Sequence, residues 1–383
     1  MPIMTIFDGY FPLGLGASRF AINDPKDEPA IERAAELVCK ALDAGMDYID
    51  VGYNYSAGAA QSVLGLAFRQ TKKPFAVTVK VSNDTDKTAE EARRRVEMQL
   101  KTMGLQKAAF FVCWSVKGYD EFKKIMQSGG VYDGALKMKA EGIIDHICCS
   151  IHAPLDETTK IIESGVFEGV TLSYSLLNAA QMLPALDSAQ KHGVGVAVMN
   201  PLGGGLIAQN PDFFDFARNG EESIAVSALR FAKAHPAVNI LLSGISKEAE
   251  LYENISAVCE EDSEQGAERH ARVLKGLREI KDFCTGCDYC KGCPADIPVS
   301  AYMLRRNRLL FGCRGMYNRS EPELVKNLNL FYDVCGVAPE TAENPCTRCG
   351  ACEQKCTQKL PIISWLADTL SRLGKTRYSK AAR

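Results

Sequence analysis

Residues 30–51 read A-I-E-R-A-A-E-L-V-C-K-A-L-D-A-G-M-D-Y-I-D-V, and this stretch holds one complete unit of the fold. Apolar residues over 30–44 recur at the spacing of an α-helix. Gly45 follows at the position where a helix commonly ends through a positive φ. The short apolar run at 47–51 then predicts a β-strand buried on both faces. The stretch therefore predicts a helix that leads into a parallel strand.

The same unit recurs along the first 257 residues. Strands are predicted at 13–16, 47–51, 75–80, 108–114, 145–150, 169–174, 194–199 and 239–244, and helices near 29–44, 60–70, 87–103, 119–140, 155–164, 179–192, 221–235 and 247–257. Eight strand–helix units in about 250 residues are the count and the size of a (β/α)8 TIM barrel. An open doubly wound sheet is the rival fold, but no G-x-G-x-x-G turn is present.

Composition narrows the class of protein. The 383 residues carry a net charge of −2, so no basic surface for nucleic acid is indicated. We expect no membrane partner, because no stretch approaches the roughly 20 apolar residues of a membrane helix and the first twenty residues lack a signal-peptide pattern. Fifteen cysteines without such a signal predict a reducing cytoplasmic location.

Two cysteine runs stand near the end of the chain. They contain Cys284, Cys287, Cys290 and Cys293, followed by Pro294, and then Cys346, Cys349, Cys352 and Cys356. Four thiolates within about ten residues, twice, are typical of two [4Fe-4S] clusters. Zinc and disulfides are the alternatives, but zinc usually takes separated cysteine pairs and disulfides are uncommon in cytosolic proteins. In two-cluster ferredoxins the fourth cysteine of each run binds the other cluster, so Cys293 and Cys356 are expected to cross over.

Chemistry in a TIM barrel lies at the carboxyl ends of the strands. These ends carry Asp50, Lys80, Cys113, Ser150 with nearby His152, Tyr174, Met199 with Asn200, and Gly244; Tyr53 and Tyr55 follow the second strand. A buried lysine beside a tyrosine and an aspartate is a proton-transfer set, in which the cation lowers the pKa of the tyrosine. A structural Asp–Lys pair that closes the barrel end is the alternative.

At this point the chain resembles the aldo-keto reductase family. The stretch A-G-M-D-Y-I-D-V-G-Y-N-Y (44–55) resembles its G-x-x-x-x-D-T-A-x-x-Y motif, and L-G-L-G-A-S-R-F (13–20) and M-N-P-L-G-G-G-L (199–206) resemble two others. The resemblance implies catalytic roles for Asp50, Tyr55 and Lys80. With its cysteines, the whole chain resembles the subgroup that carries an appended ferredoxin-like domain.

The fourth catalytic position of that family, a histidine on the fourth strand, falls on Cys113 in the sequence F-F-V-C-W. Cysteine is a weak hydrogen-bond donor, so the resemblance leaves open reduction of a conjugated C=C bond, a different role for the thiol, or simple packing. The resemblance also implies cofactor contacts from Gly16, Ser18, Ser150, Thr171, Met199, Asn200, Leu202, Gly244, Ser246, Lys247, Glu250 and Asn254.

The resemblance places Glu250 and Gly244 where the family holds the 2′-phosphate of NADP, so it implies NADH over NADPH, since a carboxylate repels that phosphate and suits a free ribose hydroxyl. We therefore expect a barrel over residues 1–262 and a small, mainly helical, ferredoxin-like domain over 263–383. The function expected is NAD(P)H-dependent reduction of a carbonyl or conjugated C=C bond in a small molecule. The clusters would exchange electrons with a ferredoxin or another electron-transfer protein. The alternatives are a nicotinamide-independent reductase fed by the clusters and a non-catalytic electron-transfer scaffold.

Overall fold

The structure is a computed structural model. It describes residues 4–260, 264–280, 283–284, 290–310, 344, 346–356 and 359–373. The predicted cluster ligand Cys287 lies outside this part of the chain.

Eight parallel strands close into one barrel in the order in which they occur in the chain. They are β1 (Leu13–Gly16), β2 (Tyr48–Asp50), β3 (Ala76–Val81), β4 (Ala108–Val116), β5 (Ile144–Ile151), β6 (Gly169–Ser173), β7 (Gly195–Met199) and β8 (Val238–Ser243). Pairing of Leu13 with Leu241 joins β1 to β8 and completes the closure. The predicted (β/α)8 barrel is therefore confirmed, with strand ends within two residues of the prediction.

Helices surround the barrel. They are α1 (Glu28–Asp43), α2 (Ala60–Gln70), α3 (Ala89–Met103), α4 (Tyr119–Ile125), α5 (Val131–Ala140), α6 (Leu155–Glu163), α7 (Ala179–His192), α8 (Ile224–Lys233), α9 (Glu248–Cys259) and α10 (Gly266–Glu279). Gly45 has φ +99°, as its place after α1 predicts. The single helix predicted over 119–140 is two helices, because Gly129 between them takes φ +74°, a left-handed conformation that interrupts a right-handed helix.

The barrel has an interior core and an outer core. The interior is packed by side chains that include Tyr48, Phe110 and Cys148, and Phe7 closes it from the N-terminal segment. Gly195 makes room for this plug, since a Cβ there would lie 2.6 Å from the ring of Phe7. The amino end of the barrel is thus sealed, which leaves the carboxyl ends of the strands as the open side.

Helix α10 packs on the barrel. Its fully buried Arg269 donates two hydrogen bonds, of 2.9 and 3.0 Å, to the carboxylate of Glu222 in front of α8. Leu277 and Phe283 join the outer core, and the ring of Phe283 lies 5.8 Å from that of Phe213. By these contacts the barrel extends past the predicted boundary at residue 262 to Phe283.

The C-terminal residues form a second, smaller core. It contains α11 (Val299–Leu310), α12 (Ala351–Lys355) and α13 (Ile362–Leu373), together with Cys284 and Cys356. Asn307 on α11 accepts from the backbone N–H of Cys284 and donates to its carbonyl oxygen, so this cysteine is held from both sides. Among the described residues, no helix has the length and the apolar character needed to cross a membrane.

Candidate active site

Lys80 is the centre of the open end of the barrel. It lies near the end of β3 with 2% of its surface exposed. Its Nζ donates to Oδ2 of Asp50 at 2.9 Å and to the hydroxyl oxygen of Tyr55 at 2.9 Å. Asp50 ends β2, the neighbouring strand, and Tyr55 lies in the loop that follows it. The structure thus brings together the three side chains that strand placement predicted.

Charge within this set is balanced locally. Burial opposes the positive charge of Lys80, but the negative charge of Asp50 and the contact with Tyr55 outweigh burial and raise the pKa of Lys80. Burial also raises the pKa of Tyr55, and the charge of Lys80 offsets only part of this rise. The expected lowering is therefore present as one contribution, while the net shift is upward. Tyr55 stays protonated at neutral pH and can donate its proton.

Aromatic rings surround this set on the side of β4. The ring of Trp114 lies 5.8 Å from that of Tyr55 and 5.3 Å from that of Tyr53, both edge-on. Oδ1 of Asp50 is buried and has no hydrogen-bond partner among the described residues. A buried carboxylate oxygen normally accepts a hydrogen bond, so this atom indicates that a water molecule or a ligand donates to it.

Cys113 does not face this opening, contrary to the placement implied by the resemblance. Cys113 pairs with Val81 in the sheet, and both side chains belong to the outer core. Burial, and after it the proximity of Cys113, raises the pKa of Tyr132 on the surrounding helix α5. Side chains alternate along a strand, so Val112 faces the interior and Cys113 faces the helices. Trp114 is the β4 residue that reaches the opening.

His152 follows β5, and its sequence position identifies it only as a neighbour of Ser150. Its Nε2 lies 3.2 Å from the hydroxyl oxygen of Ser150, which also accepts from the backbone N–H of Ser115 at 3.1 Å. Burial lowers the pKa of His152 to about 4, with Lys80 and Lys117 adding to the effect. The imidazole is therefore neutral at physiological pH.

The residues expected to hold a nicotinamide lie on adjoining strands. Ser150 pairs with Thr171 between β5 and β6, and Met199 packs against the interior core at the end of β7. Gly244 follows β8, and a Cβ there would lie 2.3 Å from Cγ of Arg19. Arg19 has no role in the sequence prediction, yet its side chain lies beside the predicted cofactor residues.

The segment after β8 contains its own carboxylate contact. One oxygen of Glu250 accepts from the backbone N–H of Ser246 at 2.8 Å and from its hydroxyl at 3.0 Å. Asn254 donates to the hydroxyl of Ser243 at 2.8 Å and thereby ties α9 to β8. Lys247 is exposed, as are Ser18 and Asn200, while Gly16 is buried and Leu202 is partly buried. The Ser246 donors are therefore already used by an acidic side chain.

A second site candidate is a cavity in the C-terminal core. Cysteines of both runs line it: Cys290 and Cys293 from the first, and Cys346, Cys349 and Cys352 from the second. Cys284 and Cys356 are buried in the same core, and Cys287 lies outside the described residues. No disulfide joins any two of the described cysteines. In the same part of the chain, no three histidine, cysteine or carboxylate side chains are grouped closely enough for a single metal ion.

Comparisons with known proteins agree on the barrel. The sequence model described as the Aldo/keto reductase family matches residues 12–271. An L-galactose dehydrogenase of Arabidopsis thaliana is 24% identical over 280 residues, which are 66% of this chain and 85% of that protein. An aldo-keto reductase from Klebsiella pneumoniae in complex with NADPH has a TM-score of 0.58 at 17% identity and covers 72% of this chain and 96% of its own. The holo form of an aldo-keto reductase from Bacillus halodurans has a TM-score of 0.58 at 17% identity, with coverage of 69% and 91%.

The burial of Lys80 predicts that its substitution destabilises the protein far more than substitution of Lys117, a more exposed lysine that also pairs with one carboxylate. Lys80→Met leaves the Asp50 carboxylate buried and uncompensated, so the free energy of unfolding should fall by about 3–5 kcal/mol. Lys117→Met, whose partner Asp84 is exposed, should cost less than about 1 kcal/mol. Urea denaturation followed by circular dichroism measures both. Equal losses would contradict the view that Asp50 is held by Lys80.

Proposed function

The chain belongs to the aldo/keto reductase family, and on this basis we propose that it reduces a carbonyl group, or a C=C bond conjugated with one, in a small organic molecule. Members of this family are NAD(P)H-dependent oxidoreductases, so the chain is an enzyme rather than a scaffold. One observation carries the finer proposal. The ammonium of Lys80 bonds Asp50 and Tyr55 together, at 2.9 Å each, at the open end of the barrel.

Each of the three side chains has a distinct task. Tyr55 donates its proton to the substrate oxygen, because it is protonated in the resting protein and partly exposed at the opening. Lys80 stabilises the tyrosinate that this transfer leaves behind, which makes the proton easier to give. Asp50 keeps Lys80 charged and oriented. Solvent then returns the proton to Tyr55.

The residues present fit a nicotinamide cofactor, which when bound supplies a hydride. Ser150, Thr171 and Met199 border the opening. Oδ1 of Asp50, which has no hydrogen-bond partner among the described residues, can accept from a donor there. We propose NADH as the preferred form. Glu250 presents negative charge where a 2′-phosphate would add more, and it already accepts both donors of Ser246.

The C-terminal thiols fit two [4Fe-4S] clusters. A cubane cluster is wider than one metal ion, so its ligands stand further apart than those of a single-ion site. Cys290 and Cys293 of the first run line one cavity with Cys346, Cys349 and Cys352 of the second, which supports ligands from both runs in one core. By analogy with two-cluster ferredoxins we propose the crossed arrangement, in which Cys293 binds with the second run and Cys356 binds with Cys284, Cys287 and Cys290. Such clusters pass single electrons, and we propose a ferredoxin-type protein as the partner and the reducing cytoplasm as the location.

Tyr55→Phe tests the proton donor. Loss of the hydroxyl should lower NADH-dependent reduction of 4-nitrobenzaldehyde by about 10²–10⁴-fold, because that is the usual value of general-acid help. Tyr53→Phe is the matched control, since Tyr53 lies in the same loop but bonds Thr85 instead of Lys80. It should keep activity within a few-fold of the wild type. An active Tyr55→Phe enzyme would remove Tyr55 from this role.

Glu250→Gln tests the choice of cofactor. Removal of one negative charge near a phosphate should raise the ratio of kcat/KM for NADPH over NADH by about tenfold, or ~1.4 kcal/mol. Glu248→Gln is the control, because Glu248 lies two residues earlier on α9 and its carboxylate pairs with Lys40. Its ratio should stay within about twofold. If both variants keep the wild-type ratio, Glu250 does not determine the preference between NADH and NADPH.

Cys293→Ser tests whether Cys293 is a cluster ligand. Replacement of one ligand should remove one of two clusters, so iron per chain should fall from about eight atoms to about four. Cys259→Ser replaces an exposed cysteine outside both runs and should leave iron unchanged. Iron analysis and electron paramagnetic resonance after dithionite reduction measure the outcome. Wild-type protein that contains no iron after reconstitution with iron and sulfide would refute the cluster proposal.

A further inference from the structure

Reduction of a carbonyl group places negative charge on its oxygen, and that atom has two lone pairs. Tyr55 reaches one of them. A second donor placed in advance lowers the barrier, because it stabilises charge that exists only as the hydride adds. Cys113 cannot be this donor, since its side chain belongs to the outer core between the sheet and the helices.

His152 lies on the correct face of the neighbouring strand. Cys148 points into the barrel interior and Ile151 into the outer core. Alternation along the strand therefore directs Cys148, Ser150 and His152 to the inside, with His152 at the open end. The backbone N–H of His152 donates to the carbonyl oxygen of Val116 at 2.8 Å, which continues the pairing with β4 by one residue.

One nitrogen of the imidazole is held, and the other is available. Nε2 lies 3.2 Å from the hydroxyl oxygen of Ser150, and that oxygen already accepts from Ser115 N–H, so the hydroxyl proton is free to bond Nε2. On this basis we assign the imidazole proton to Nδ1. No described residue hydrogen-bonds Nδ1.

The local backbone supports this arrangement. Ser115 has φ +63°, a left-handed conformation that is uncommon outside glycine, and the pairing of β4 with β5 shifts between Cys113 and Val116. Irregularities of this kind redirect side chains beside active sites. Here the shift brings the N–H of Ser115 to Ser150 and leaves Trp114 facing the opening.

We propose that His152 is a second catalytic residue, whose Nδ1–H donates a hydrogen bond to the substrate carbonyl oxygen opposite Tyr55. The inference rests on the proposed function. Hydride adds to the carbonyl carbon, Tyr55 gives the proton to the oxygen, and His152 keeps its own proton throughout. Burial and the charge of Lys80 keep the ring neutral, so it acts as a donor and not as an acid.

Two substitutions separate this role from a structural one. In His152→Asn the amide can place a donor near the position of Nδ1, whereas in His152→Gln the longer side chain reaches instead toward Ser150, as Nε2 does. We expect kcat/KM for 4-nitrobenzaldehyde to fall by about 10²-fold or more in His152→Gln and His152→Leu, and by less than about tenfold in His152→Asn. If His152 only positions Ser150, kcat/KM should fall more in His152→Asn than in His152→Gln.

Acetate, a carboxylate that mimics the charged oxygen, gives a readout without turnover. In the presence of NAD⁺ it should bind wild-type enzyme and bind His152→Leu about tenfold more weakly or worse, since a charge-assisted hydrogen bond is lost. His146→Asn is the control, because that histidine lies at the other end of β5 and pairs with Glu168. His146→Asn should match the wild type both in kcat/KM for 4-nitrobenzaldehyde and in acetate binding.

The outcomes distinguish the two proposals. Inactivation by Tyr55→Phe together with a fully active His152→Leu that binds acetate normally would overturn the role of His152 and leave the proposed function intact. An unaffected Tyr55→Phe would overturn the proposed function itself. Failure of the wild type to bind acetate would also count against a paired donor site. So would a greater loss of kcat/KM in His152→Asn than in His152→Gln.

Discussion

The charge of Lys80 is the interaction on which the site depends. Lys80 is 2% exposed, and its ammonium group is stable there only if opposite charge and hydrogen bonds replace the water it has lost. Asp50 supplies the charge and Tyr55 supplies a second acceptor. The same contacts that make the ion tolerable also hold the tyrosine hydroxyl in one place, so stability and proton transfer share a single set of bonds.

Closure of the barrel makes this arrangement possible. Asp50, Lys80 and Ser150 lie at or next to the carboxyl ends of three different strands, and the parallel strands of a closed sheet bring these ends to one opening. Phe7 seals the opposite end, so chemistry is confined to one side. Helix α10 then binds the barrel through Arg269 and Glu222 and leads directly to Cys284, which ties the barrel to the cysteine-bearing core.

The order of the elements can be predicted because each carries its own local signal. Apolar runs, helical periodicity and Gly45 are properties of neighbouring residues, and they locate all eight strands. The segment 119–140 is predicted as one helix, but Gly129 takes φ +74° and divides it. The place of α10 on the barrel has no local signal, since its contact with Glu222 joins residues 47 positions apart.

The sequence by itself determined the barrel, the family, the Asp50–Tyr55–Lys80 set and the pairing of two cysteine runs in one small core, because residue type and spacing suffice for these. Tertiary structure decided the direction of individual side chains. Cys113 occupies the expected position in the sequence, yet strand alternation turns it outward, and a shift in pairing leaves Trp114 and His152 at the opening. The sequence names which residues end a strand, but only the packed sheet decides which of them face the substrate.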